Sequence, residues 1–147
     1  MFSKEEAQKI KREFWITFAE KYPRKWMLYN TKIKDFSFKF YVDNKKAMVA
    51  LDIESKDEEH RKIYFEKMES LKTILKEEYL SDVIFEKNHQ LENGKIISKI
   101  WVEIDNISIN NKSSWTTIFE FFSKKMDLFE QFFYEYEDYI KDLDINT

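Results

Sequence analysis

The sequence predicts an α+β fold: an antiparallel sheet of four to five strands in two hairpins, packed on one side by three helices, in the order α-β-β(-β)-α-β-β-α. Three observations lead to it. Apolar residues recur at three or four in three segments and at two in the stretches between them. Two turn signals, Asp43-Asn44-Lys45-Lys46 and Asn93-Gly94, interrupt the alternating stretches. Connections that short join neighbouring strands antiparallel, because a parallel pair needs a long crossover.

The first helix opens at Ser3, with Glu6 three residues later completing a capping box, and runs to about Tyr22 because Pro23 cannot continue it. Ala7, Ile10, Phe14 and Phe18, with Trp15 beside them, form its buried stripe. From 36 to 54 the period is two: Phe36, Phe38, Phe40 and Val42 alternate with Ser37, Lys39 and Tyr41, and Ala47, Val49, Leu51 and Ile53 with Met48, Ala50, Asp52 and Glu54, which predicts a hairpin with one wet face. Trp26 to Ile33 is a candidate for an additional short strand. Ser55-Lys56-Asp57-Glu58 repeats the capping-box pattern and predicts a second helix to about Tyr79.

A second hairpin follows, Val83-Ile84-Phe85 and then Ile96 to Ile104 across Asn93-Gly94, with Trp101 sharing a partly covered face with Lys99 and Glu103. The last helix starts near Ser113 or Ser114 and holds its period to about Leu143, roughly 40 Å at 1.5 Å per residue. It carries two apolar stripes. Trp115, Ile118, Phe119, Phe122, Met126, Phe129 and Phe133 form one; Phe121, Leu128, Phe132, Tyr136 and Tyr139 form the other. A helix apolar on two sides must be covered on two sides, within the subunit or by a partner.

With one Gly and one Pro in 147 residues there is no flexible linker, so residues 1–147 are expected to form a single domain. Its 14 Phe, 8 Tyr and 4 Trp predict an aromatic core. The absence of Cys excludes disulfides and thiolate metal sites. No apolar run approaches the roughly 20 residues of a membrane span, and the N-terminus has no signal core, so a cytoplasmic protein without membrane attachment is expected. One Gly leaves no Gly-rich phosphate loop, and His60 and His89 lack the spacing of a zinc site.

The chain resembles the family known as domain of unknown function 4268. The resemblance is carried by Phe14-Trp15-Ile16-Thr17-Phe18, Pro23-Arg24-Lys25-Trp26, the Phe36-to-Ile53 hairpin, Lys95 to Val102, and Trp115 with the aromatic helix after it. It covers nearly the whole chain and is closest to the short stand-alone members from Bacteroidetes. Other members sit at the C-terminal end of longer proteins that resemble nucleases, which implies an accessory or binding module. The family brings no established activity and no catalytic residues to carry over.

Two constellations stand out from the residues themselves. A two-residue turn at Asn44-Lys45 sets Tyr41 opposite Met48, Lys39 opposite Ala50, Ser37 opposite Asp52 and Asp35 opposite Glu54, gathering Asp35, Asp52 and Glu54 on one face. Carboxylates so placed need a cation or a wet surface. One reading is a Mg²⁺-dependent nuclease site of the restriction-endonuclease type, Asp35 and Glu54 holding the metal with Asp52 nearby and Lys56 orienting water. The other is a solvated strand end, with Ser55 capping the next helix and turning Lys56 outward; the expected cofactor is then none.

The second constellation is charge segregation. Residues 1 to 46 hold twelve Lys or Arg against six acids, whereas Asp127 to Thr147 holds seven acids against Lys141. Arg24, Lys25, Trp26, Lys32, Lys34 and Lys39 make a candidate nucleic-acid surface of basic and aromatic residues. The net charge of −3 speaks against a dedicated binder, and such patches are more often solvated faces. Alternatively, the basic region of one protomer meets the acidic helix of another. Glu130, Glu135, Glu137, Asp138, Asp142 and Asp144 read as a solvated helix face. The leading functional expectation is a non-catalytic interaction or accessory domain, a homo-oligomer or protein partner, contacting through Phe121, Leu128, Phe132 and Tyr136.

Overall fold

The computed structural model describes residues 3–142. Ser3 opens α1 (Lys4–Lys21), its hydroxyl accepting the Glu6 N–H at 3.1 Å, and Phe14 and Phe18 bury the helix against the core. Asp43 shapes the first hairpin, β1 (Phe36–Val42) and β2 (Lys46–Ile53): its carboxylate accepts the N–H groups of Lys45 and Lys46, both at 2.8 Å. The register pairs Tyr41 with Met48, Lys39 with Ala50 and Ser37 with Asp52, as the turn predicts. Glu54 N–H donates to the Asp35 carbonyl at 2.7 Å, carrying the ladder one pair further.

No strand forms over 26–33. Leu28 and Lys32 have φ of 44° and 64°, a left-handed geometry incompatible with an extended strand. Side chains satisfy this segment's backbone instead: Glu130 accepts the Met27 N–H at 2.8 Å, and Thr31 accepts the Ile33 N–H at 3.2 Å while donating to the Phe36 carbonyl at 2.6 Å.

The second helix starts later than predicted and breaks. Asp57, not Ser55, is the N-cap of α2 (Glu58–Ser70), accepting the Glu59 N–H at 3.0 Å, so Lys56 precedes the helix and Ser55 is buried in the turn before it. At its end the Ser70 hydroxyl takes the Lys67 carbonyl at 2.6 Å, the acceptor that the Leu71 N–H would use in an unbroken helix. Leu71 bonds the Met68 carbonyl instead, at 3.0 Å, and the chain restarts as α3 (Lys72–Glu78).

β3 (Ile84–Gln90) and β4 (Ile96–Asp105) complete an antiparallel sheet of order β1-β2-β4-β3. One extra residue between Glu86 and His89 makes a bulge in β3. A 3₁₀ turn over Lys112–Ser114 leads into α4 (Trp115–Lys141). The expected end at Leu143, like Asp144, lies outside the described residues. The buried Lys67 ammonium caps the C-terminal carbonyls of α4, donating to those of Tyr139, at 2.9 Å, and Asp142.

The helices pack one face of the sheet, and the meeting is aromatic. Phe40, Phe38 and Phe36 meet Phe122, Phe129 and Phe133 of α4 at ring separations of 4.8, 5.3 and 5.9 Å, while Phe14 of α1 lies 5.0 Å from Phe119. The second stripe of α4 belongs to the same core except for Tyr139, which is exposed. Phe121 and Phe132 are buried, Leu128 and Tyr136 are half-buried and packed against that core, and Tyr79 at the end of α3 meets Phe132 edge-on at 5.4 Å. The premise for association through this stripe, an apolar face with nothing to cover it, therefore does not hold. Among the described residues, no helix is long and apolar enough to cross a membrane.

Candidate binding clefts

Pro23 ends α1 and turns the chain back along α4. The Arg24 guanidinium stacks on Trp26, 3.8 Å from the ring centroid, and pairs with Asp127 at 3.2 Å and with Glu130. Glu130 is only 3% exposed, so one buried carboxylate holds both Arg24 and the Met27 N–H. Pinned in this way, Trp26 lies parallel to Phe18 at 6.1 Å and edge-on to Phe40 at 5.4 Å. Between the end of α1, this loop and β1 lies an open cleft of about 440 Å³, lined by Trp15, Tyr22, Trp26, Tyr29 and Phe40 among others. Tyr29 stands 70% exposed at its mouth.

β1 is an edge strand, and its hydrogen bonds to β2 use alternate residues. The others, Phe36, Phe38, Phe40 and Val42, turn their backbone groups outward. Leu28 covers the start of this edge by accepting the Phe38 N–H at 3.0 Å, and the edge beyond it runs beside the cleft. Of the basic-aromatic candidates, the structure brings Arg24, Trp26 and Lys39 to this cleft, while Lys25, Lys32 and Lys34 are exposed and do not line it. The pairing of the basic N-terminal part with the acidic last helix was expected between protomers; within this chain Arg24 already pairs with Asp127 and Glu130.

The carboxylates resolve differently from either sequence reading. Asp35, Glu54 and Lys56 border one depression of about 370 Å³; Asp52 faces a cleft of about 640 Å³ on the helix-free side of the sheet, which Glu54 also borders but Asp35 and Lys56 do not. The cation that reconciles Asp52 with Glu54 is Lys39, whose ammonium lies 3.4 Å from one and 3.0 Å from the other. Among the described residues, no group of three or more His, Cys, Asp or Glu is placed to hold a metal ion.

A family model for a domain of unknown function, DUF4268, matches residues 10–137 of the 147. The chain belongs to this family. No curated protein and no solved structure matches it. The part matched as DUF4268 contains the lining of all three clefts.

The face of this DUF4268 domain that the alternation predicts to be wet is covered in part, while Tyr41 on it stays exposed. Met48, Ala50 and Trp101 form a second apolar cluster there, and Ser37, Asp52 and Lys99 are buried around it. The bulge in β3 brings His89 to 5.8 Å from Trp101, and the segment from His89 to Glu92 forms the far wall of the larger cleft. Only the phase of Lys99, Trp101 and Glu103 hinted at this in the sequence; a bulge has no such signature.

Burial decides the charges. It works against the Lys39 ammonium, but the hydrogen bond to Glu54 and the charges of Asp52 and Glu54 outweigh it and raise the Lys39 pKa. Asp52 responds to the same contact in the opposite sense: its burial outweighs Lys39 and Lys99, and its pKa is raised. A carboxyl whose pKa is higher folded than unfolded contributes no penalty below its unfolded pKa, about 3.9, and a full one above its folded pKa. Asp52→Asn abolishes this penalty, so the variant's stability relative to the parent should rise with pH through the acid range. Urea unfolding of both proteins at several pH values checks this; a flat or falling difference would contradict it.

Proposed function

We propose that this DUF4268 domain is a non-catalytic interaction module that docks an extended segment of a partner protein along the free edge of β1, seating one bulky apolar side chain in the aromatic cleft. The observation that carries the reading is the cleft itself: a concave aromatic surface beside outward-facing strand backbone, the two parts that strand addition uses for specificity and affinity. Charge narrows the partner. Arg24 and Lys39 are neutralised by carboxylates of the same chain, so the cleft lacks the phosphate-tracking field of a single-strand nucleic-acid groove. Lys25, Lys32 and Lys34, exposed nearby, favour Asp or Glu flanking the anchor.

Selection of random peptides displayed on phage against the domain is expected to enrich a bulky apolar residue flanked by acids. Binding should perturb the Phe40 amide resonance and be lost in Ala19→Glu, which places a charge in the cleft from an exposed position. Failure to enrich, or peptides indifferent to Ala19→Glu, would defeat the reading. Salt-sensitive preference for oligo-dT over every peptide would replace it with nucleic-acid binding.

A further inference from the structure

The cleft on the helix-free face holds polar groups that the fold leaves unsatisfied. Lys99 is 7% exposed, lies 4.8 Å from the Trp101 ring centroid, and among the described residues finds one hydrogen-bond partner, the Met48 thioether at 3.5 Å. A thioether is a weak acceptor, so this ammonium has been taken from water with no anion in hydrogen-bond contact; Asp52, Glu103 and Glu86 act on it only through their charge. Across the strand pair, Asp52 is 8% exposed and among the described residues its buried Oδ1 has no hydrogen-bond partner; neither has the hydroxyl of Ser37 opposite it. Buried polar groups are normally paired, and each exception asks for a reason.

Two of these residues, Asp52 and Lys99, line one cavity. Asp52 and Lys99 are direct cross-strand partners on β2 and β4, and both line the cleft of about 640 Å³, whose floor is Met48, Ala50 and Trp101. Lys39 does not serve Oδ1, because it engages Oδ2 of Asp52 and the carboxylate of Glu54. One under-satisfied cation, one buried carboxylate and an apolar floor thus stand side by side. A cavity of this size is ample for a small ligand, and few convergent polar groups over apolar walls are what such sites present.

We infer that this cleft binds a small zwitterion of the amino-acid type, its carboxylate on the Lys99 ammonium, its ammonium on Asp52 and its apolar side chain on the Trp101–Met48 floor. A ligand carrying both charges satisfies both buried groups and brings no net charge into the site, whereas a simple anion or a simple amine leaves one of them orphaned. This cleft shares Lys39 and Phe40 with the docking cleft, but Lys99, Asp52, Met48 and Trp101 line this one alone, so either reading can fail without the other.

The experiment titrates the ¹⁵N-labelled domain with millimolar L-phenylalanine, L-leucine and L-methionine, and in parallel with 3-phenylpropionate and phenethylamine, each lacking one charge. At least one amino acid should shift the Trp101 indole N–H resonance saturably, and the half-molecules should bind about tenfold more weakly or worse, the loss expected for one charged hydrogen bond. Lys99→Met should weaken amino-acid binding about ten- to a hundredfold while raising thermal stability, because a buried ammonium without a proper partner is replaced by an apolar chain. Asp52→Asn should weaken the amino acids and leave 3-phenylpropionate unchanged, and Ala19→Glu should alter neither. No saturable shift with any amino acid, an equal response to 3-phenylpropionate alone, or undiminished binding in Lys99→Met or Asp52→Asn overturns the inference.

Discussion

Replacing Phe132 by alanine is expected to destabilise the domain by about 3–5 kcal/mol, the loss that follows deletion of a buried aromatic ring and the cavity it leaves. Phe132 has no exposed surface and is held between Tyr79 at 5.4 Å and Tyr136 at 5.2 Å. Because that covering comes from the same chain, the loss should not depend on protein concentration. Tyr134→Ala, two residues away but 61% exposed, should change stability by no more than about 0.5 kcal/mol. Urea unfolding at two well-separated concentrations reads both. A small loss in Phe132→Ala, or a midpoint that rises with concentration in the parent and not in the variant, would return this stripe to a subunit interface.

The elements readable in the sequence were those whose cause is local. Side-chain phase and turn position together fix register, so the pairing from Tyr41–Met48 to Ser37–Asp52 followed from Asp43-Asn44-Lys45-Lys46 alone. Ser3 and Glu6 marked the start of α1, and Pro23 its end, for the same reason. The misreadings have distant or competing causes. The segment 26–33 reads as a strand until Glu130, more than a hundred residues later, supplies the acceptor that lets the loop fold without a neighbour. The break at Leu71 goes with a local exchange, the Ser70 hydroxyl on the Lys67 carbonyl and the Leu71 N–H on that of Met68. Neither leaves a periodic trace.

The sites were legible in proportion to how much of them lies on one strand pair. The sequence gathered Asp35, Asp52 and Glu54 correctly onto neighbouring positions, and its demand for a cation was sound. The supplier is Lys39 on the same face, which the nuclease reading did not consider. Lys99 entered only as a face-mate of Trp101, because its burial depends on the bulge in β3 and on the wall formed by residues 89–92. The two stripes of α4 were identified residue by residue; what could not be read was that α3, freed by the break at Leu71, would end with Tyr79 over Phe132.

Glu130→Ala should cost about 3 kcal/mol, since it strands the Met27 N–H in the interior and removes a charged partner from Arg24. The sequence placed Glu130 on a solvated face with its acidic neighbours, and those neighbours offer the contrast: the exposed Glu135 should tolerate alanine with a change within about 0.5 kcal/mol. Glu130→Gln separates the two functions of the carboxylate. Its amide oxygen still accepts from Met27 while the charge is gone, so its cost should fall to about half that of alanine, on the scale of one hydrogen bond with a charged group. Arg24 and Glu130 touch, so Arg24→Ala combined with Glu130→Ala should cost less than the two single changes together, a non-additivity of about 1–2 kcal/mol. The same pair positions Trp26 over Phe18, which ties the stability of the loop to the shape of the aromatic cleft. Glu130→Gln should therefore weaken selected peptides even where it leaves the domain folded. If Glu130→Ala unfolds at the same urea concentration as the parent, the loop is held by its aromatic rings alone and α4 does not shape the cleft.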